Sequence, residues 1–223
     1  MPYYQHEEFA HKQNAYPMCT ELPSFNPSET ASNCCHEYLE DRKLDADLAK
    51  ANGWFPSTTA GDAFLRIVIP AITHKQSHVY WQARDVTGKA YLRYQSPKGP
   101  RHEALVRVLP EDANKSLGNI VVEGPMDALA AAMCGYVGYA LMGMKPSQAT
   151  IMHLALLIED TPTSKTLVCL DRGEMANAIK VVMFLSSQGY ESAVAELPEK
   201  DLAQCKPLAR RKFLDRSFSC LFR

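Results

Sequence analysis

The chain has 223 residues, 46% of them hydrophobic and 22% charged, with a formal net charge of −1. That is enough for one large domain or two small ones, and too apolar for a disordered chain. No apolar run approaches the roughly 20 residues of a membrane span, which excludes an integral membrane protein. Met1-Pro2-Tyr3-Tyr4-Gln5-His6 has no secretory-signal character, so the expected compartment is the cytoplasm.

Seven scattered cysteines do not form a disulfide framework. Cys134 and Cys169 sit in apolar runs and read as core residues. His6, His11, Cys19, Cys34, Cys35 and His36 lack the paired spacing of a structural zinc site.

Charge is unevenly distributed. Residues 1–65 hold four basic and ten acidic side chains, residues 66–107 eight basic and two acidic, and residues 108–223 twelve and thirteen. The basic middle segment is interleaved with Tyr80, Trp81, Tyr91 and Tyr94. That pattern suits a surface that tracks phosphates and stacks bases, and equally suits a solvated strand face over an aromatic core.

In chain order, residues 1–33 read as an irregular arm with Pro17, Pro23 and Pro27 and one short helix near 6–14. Ser32 or Asn33 is expected to cap a helix reaching Glu40, and a second helix should run from 44–45 to Gly53. Strands are expected at 65–69, ending at Pro70, and at 79–84, 90–94 and 104–109. They read as an antiparallel meander whose arginines project from one face. A polar connection at 110–118 marks the domain boundary. Beyond it, strands at 119–122, 137–141, 167–170 and 192–197 alternate with helices at 126–133, 147–157 and 174–187. That alternation indicates a parallel sheet with crossovers.

Ligands of open parallel sheets gather at the carboxyl ends of strands. The rule selects Glu123-Gly124-Pro125-Met126-Asp127, then Asp171-Arg172-Gly173-Glu174, then Glu199-Lys200-Asp201. Carboxylates converging there repel one another unless a divalent cation neutralises them, which implies Mg2+ or Mn2+. Taken alone, such a carboxylate is more often a charge partner of a helix N-terminus, and Asp127 or Glu174 could be only that.

The first of these segments, followed by Ala128-Leu129-Ala130, resembles the opening motif of the TOPRIM domain shared by DnaG-type primases, topoisomerases and some nucleases. Leu167-Val168-Cys169-Leu170-Asp171-Arg172 resembles its second motif, a hydrophobic strand ending in Asp-x-Asp, and Leu197-Pro198-Glu199-Lys200-Asp201 the acidic segment that follows in primases. Upstream, Tyr38-Leu39-Glu40-Asp41-Arg42-Lys43-Leu44 is similar to the helix opening the primase core. Arg66-Ile67-Val68-Ile69-Pro70, Gln82-Ala83-Arg84 and Arg93-Tyr94-Gln95-Ser96-Pro97 are similar to that core's basic strands. The likeness spans about residues 34–205 and is nearest to phage- and plasmid-type primases. It implies an α/β protein: an arm (1–33), a smaller basic α+β subdomain (34–112), a parallel-sheet TOPRIM domain (118–205) and a basic tail (206–223). The tail is either a helix packed on the core or a docking segment for a helicase.

The resemblance further implies synthesis of short RNA primers on a single-stranded DNA template from ribonucleoside triphosphates. Partners would include a replicative helicase or another replication protein, in a bacterial or phage-infected cell, with no membrane role. By position, Glu123, Asp127 and Asp171 would be catalytic. Glu123, Asp171, Glu174 and Asp201 would hold Mg2+ or Mn2+, and Arg66, Arg84, Arg93, Lys98, Arg101 and Lys145 would hold template and nucleotide. One departure matters: Gly173 stands where the family has its second Asp. A weakened TOPRIM protein that binds single-stranded DNA or a replication partner, and a TOPRIM nuclease, remain open as alternatives.

Overall fold

The computed structural model describes residues 21–58, 64–73, 80–99, 104–142 and 145–222. The helix expected near 6–14, the ligand-type residues His6, His11 and Cys19, and Arg101 lie outside them.

Helix α1 (Glu29–Asp41) is capped by Ser28 instead of Ser32 or Asn33, because the Ser28 side chain accepts the Ala31 amide hydrogen bond at 3.1 Å. Helix α2 (Ala46–Ala51) is capped by Asp45. Strand β1 (Phe55–Thr58), which sequence reading missed, is a four-residue edge strand containing Pro56. Strand β2 (Leu65–Thr73) runs through Pro70 instead of stopping there. The Leu65 carbonyl faces the next strand, β3 (Tyr80–Asp85), so by alternation Pro70 faces the other side. There β1 covers Leu65–Val68 and β5 (Ala104–Val108) covers only Ile72 and Thr73, so the missing N–H falls in a gap and costs no ladder bond.

The strand expected at 90–94 shrinks to β4 (Tyr94–Gln95). The Asp85 carboxylate takes the amides of Thr87 and Ala90, and an Arg66 Nη takes the Leu92 carbonyl, so side chains replace the ladder across 86–92. Nor do the arginines share a face. Arg66 pairs in register with Asp85 and Arg84 with Ile67, neighbouring positions whose side chains point to opposite sides.

The connection after β5 holds one short 3-10 turn, Ala113–Lys115. Strand β6 (Asn119–Val122), helix α3 (Pro125–Ala132), strand β7 (Val137–Ala140), helix α4 (Gln148–Glu159), strand β8 (Thr166–Val168), helix α5 (Met175–Ser187) and strand β9 (Ser192–Val194) follow as expected. Helix α6 (Pro207–Leu221) closes the chain. The strands form one mixed sheet in the order β4-β3-β2-β5-β7-β6-β8-β9, with β1 beside β2. Strands β7, β6, β8 and β9 are mutually parallel, while β5 joins β7 antiparallel. The sheet therefore continues across the 110–118 connection.

Helices α1, α2, α3 and α6 bury Leu39, Leu48, Leu129 and Leu214 in a cluster on one face, and α4 and α5 bury Leu154 and Val181 on the other. Alanine-rich α3 lies so close to β7 that a Cβ on Gly138 would fall 2.2 Å from the Ala128 carbonyl oxygen. The C-terminal segment packs as a helix: Phe218 stacks on Tyr136 at 4.7 Å, and the Tyr136 hydroxyl donates to Asp215 at 2.9 Å. No described helix is long and apolar enough to cross a membrane.

Candidate active site

Strands β6, β8 and β9 are parallel neighbours, so their carboxyl ends open on one edge. Glu123 leaves β6 half-buried. Asp171 follows β8 in a turn closed by a Glu174 N–H to Asp171 carbonyl bond of 2.9 Å, with Gly173 at φ +101°. Only glycine adopts that conformation without strain. Glu174 then precedes α5 and accepts a hydrogen bond from Asn177. The Arg172 N–H donates to the Lys200 carbonyl at 3.1 Å, tying the second acidic turn to the third, where Asp201 accepts the Gln204 amide at 2.8 Å.

These carboxylates feel one another's charge. Burial raises the Glu123 pKa, and the charges of Asp171 and Glu174 raise it further, against the opposing pull of Lys200. Asp171 is likewise raised by burial and by Asp201 and Glu174, with Lys200 opposing. Asp127 is pushed up to about 7, chiefly by burial and then by Asp201 and Asp171, against the Ala203 amide and Arg42. Asp127 is only 7% exposed and accepts the Ala203 N–H at 2.7 Å. Its place is thus a strut between the first acidic loop and the third. Among the described residues, no three His, Cys, Asp or Glu side chains are drawn together tightly enough to cage a metal ion.

A second cluster abuts Asp127. Arg84 Nε donates to the Tyr38 hydroxyl at 2.7 Å, and its guanidinium lies 4.9 Å from the centre of the Tyr94 ring. Arg42 stacks over Tyr38 at 5.8 Å. The Tyr94 hydroxyl is pushed up to about 12, mainly by burial, and senses Arg84, Tyr38, Asp127 and Arg42. These side chains bring the basic strands against the acidic edge.

The remaining expected residues divide. Arg93, Lys98 and Lys145 are exposed. Arg66 is 1% exposed and donates to the carbonyls of Ala83 and Leu92, so its charge is turned inward. Tyr80 and Trp81 are buried, whereas Tyr91 is fully exposed. A cavity of about 400 Å³ lies between α1, α2 and β1, away from the carboxylates, and a hollow of only about 20 Å³ sits under Asp171 and Gly173.

Sequence reading missed three cations. Lys200 stands inside a segment singled out for its acids. Arg42 lies four residues after Tyr38, the spacing of helical neighbours. Arg210 is 1% exposed and falls on the same helical stripe as Leu214 and Phe218, a signal that it points inward.

Comparison with solved structures decides the fold. A chain from the complex of bacteriophage T7 lagging-strand DNA polymerase with primase domains bound to an RNA/DNA hybrid and dTTP superposes with a TM-score of 0.54 and 19% identity. It covers 80% of this chain and 88% of its own. The primase fragment of the bacteriophage T7 primase-helicase gives 0.56 and 18%, over 80% and 72% of the two chains. The Aquifex aeolicus primase, zinc-binding and RNA polymerase domains, gives 0.61 and 21%, over 87% of this chain and 56% of that one. The chain has a primase fold. No protein-family description and no curated protein matches the sequence. At these identities the primase likeness speaks for architecture, and the chemistry must be argued from the residues on the acidic edge.

Proposed function

We propose that this chain is a primase-like nucleotidyltransferase of the TOPRIM type, making short RNA primers on single-stranded DNA in replication. The observation that carries the reading is the gathering of Glu123, Asp171 and Asp201 at one edge of a primase fold, where Asp171 and Glu174 raise Glu123 and the charge of Asp201 raises Asp171. An all-oxygen donor set under mutual repulsion fits a hard divalent cation such as Mg2+ or Mn2+. Glu123 and Asp171 would hold one ion, with Asp201 and Glu174 toward the nucleotide. Bound there, such ions would stabilise the attacking 3′-hydroxyl and the leaving pyrophosphate. Asp127 fixes the distance between the first and third acidic loops, and Arg84, Arg93 and Lys98 draw template and triphosphate toward them. Lys145, exposed after β7, would meet a phosphate.

Two observations favour a second reading, a DNA-binding protein with weakened turnover: Gly173 brings no second carboxylate, and Lys200 already offsets part of the negative charge. One experiment separates the two. The protein is incubated with single-stranded DNA and labelled ribonucleotides under Mg2+ and under Mn2+, beside Glu123→Gln and Asp171→Asn. Template-dependent products lost in both variants support the polymerase. Salt-sensitive DNA binding without products, unchanged by Glu123→Gln, supports the second reading, and nicked template would point to a nuclease.

A further inference from the structure

Arg66, expected among the outward arginines, is 1% exposed and sits opposite Asp85, 6% exposed, in the β2–β3 register. Burying two charges is costly unless they are paired and hydrogen-bonded. Both reach into the loop that follows β3, and Arg66 also donates to the Ala83 carbonyl at 3.2 Å. Asp85 accepts from the Thr87 amide at 3.0 Å, the Thr87 hydroxyl at 2.7 Å and the Ala90 amide at 3.3 Å, and its own N–H donates to the Arg93 carbonyl at 3.0 Å. Arg66 donates to the Leu92 carbonyl at 3.1 Å. The loop 86–93 is therefore held from below at four of its eight residues. Burial alone would raise Asp85, but the Thr87 and Ala90 bonds and the Arg66 charge leave it below the ordinary carboxylate value, consistent with a fixed negative foot.

What this foot displays is Tyr91, 99% exposed, between exposed Lys89 and Arg93. A large ring held in water on a stiffened loop has already met the ordering cost of binding. The loop leaves the sheet at the Arg84–Tyr94 pair, and Tyr91 stands three residues, about 10 Å of extended chain at most, from the Tyr94 ring that senses Asp127.

We propose that loop 86–93 is a stacking platform for single-stranded DNA, with the Tyr91 ring taking one base and Lys89 and Arg93 the flanking phosphates. Base–aromatic stacking is indifferent to sequence, since every base has a π-face, and it adds an affinity that salt does not screen. The inference rests on the proposed function and adds to it the residue that grips the template base.

The test is fluorescence anisotropy with a labelled oligothymidylate and an abasic strand of equal length, at several salt concentrations. Variants are Tyr91→Ala, Tyr91→Phe, Lys89→Ala and Arg93→Ala, each checked for an unchanged circular-dichroism spectrum. Tyr91→Ala is expected to weaken oligothymidylate binding about 10-fold or more, to leave abasic-strand binding unchanged and to keep the salt slope, while Tyr91→Phe binds like wild type. Lys89→Ala should make the salt slope shallower by about 0.7. Equal binding by Tyr91→Ala and wild type, or an equal loss on the abasic strand, overturns the stacking platform. If Arg93→Ala still weakens binding in that case, the proposed function stands without it. Failure of the wild-type protein to bind either strand overturns both.

Discussion

Replacing Arg210 with Met isolates the element that holds the third acidic turn in place. The guanidinium donates to the carbonyls of Leu202 at 3.2 Å, and of Ala203 and Cys205 at 3.1 Å each. Burial lowers its pKa, against the charges of Cys134, Cys205, Asp127 and Asp201. Methionine fills much of the same space but leaves the Ala203 and Cys205 carbonyls without the Arg210 donor, while Leu202 keeps the Cys205 N–H at 3.2 Å, at about 1–3 kcal/mol for each carbonyl that stays buried and unpaired. Recovered desolvation of the lost charge offsets part of that, so a net cost of about 3–5 kcal/mol is expected. For a chain of this length that corresponds to a fall in Tm of roughly 10 °C. Urea unfolding followed by circular dichroism reads it directly. The turn also carries the Ala203 N–H that Asp127 accepts, so amide exchange at Ala203 should accelerate in the variant more than exchange in β2. A Met variant within about 0.5 kcal/mol of wild type would refute the reasoning, because it would show that the carbonyls Arg210 serves find other partners at no cost.

Three further outcomes follow from the same coordinates. Gly173→Asp places its side chain in open space but at φ +101°, so it should cost about 1–3 kcal/mol in metal-free thermal unfolding while increasing the Tm rise that Mn2+ produces; an unchanged Mn2+ response contradicts the reading of this turn. Asp127, held near 7 against an ordinary 3.8, binds its proton more tightly folded than unfolded. Its contribution is therefore most favourable below about pH 4 and is lost as pH rises to about 7, by up to about 4 kcal/mol relative to Asp127→Asn in urea unfolding; parallel pH profiles for the two proteins would contradict it. Gly138→Ala drives a Cβ into the Ala128 carbonyl and should cost about 3 kcal/mol by pushing α3 off β7, whereas wild-type stability would show that the approach is slack.

Much of the fold was legible because its signals are local. The strand–helix alternation after residue 118 and the caps Asp45 and Ser147 depend on neighbours in sequence, and strand order then brings the acids of three segments to one edge. The errors came where a distant partner overrides a local rule. Pro70 reads as a strand end until β1 and β5 are seen to leave its side unpaired. Arg66 in a β-branched strand reads as a surface cation, because Asp85, which faces it from the next strand, is nineteen residues away in a chain met one residue at a time. The strand expected at 90–94 failed for the same reason, since that pair draws its backbone into a loop. At the acidic edge the anions were legible and the cations were not. Lys200 and Arg42 act by proximity across loops, which spacing does not reveal.

The central claim is that Glu123 and Asp171 act as a pair on a divalent cation. Titration of Mn2+ into the metal-free protein, followed by calorimetry across a range of pH, tests it most directly. Saturable binding that is lost in Glu123→Gln and in Asp171→Asn alike, and that weakens as pH falls because protons compete for two carboxylates whose pKa values are raised, is the predicted result. Binding that survives both substitutions, or is absent from the wild-type protein, would contradict the account.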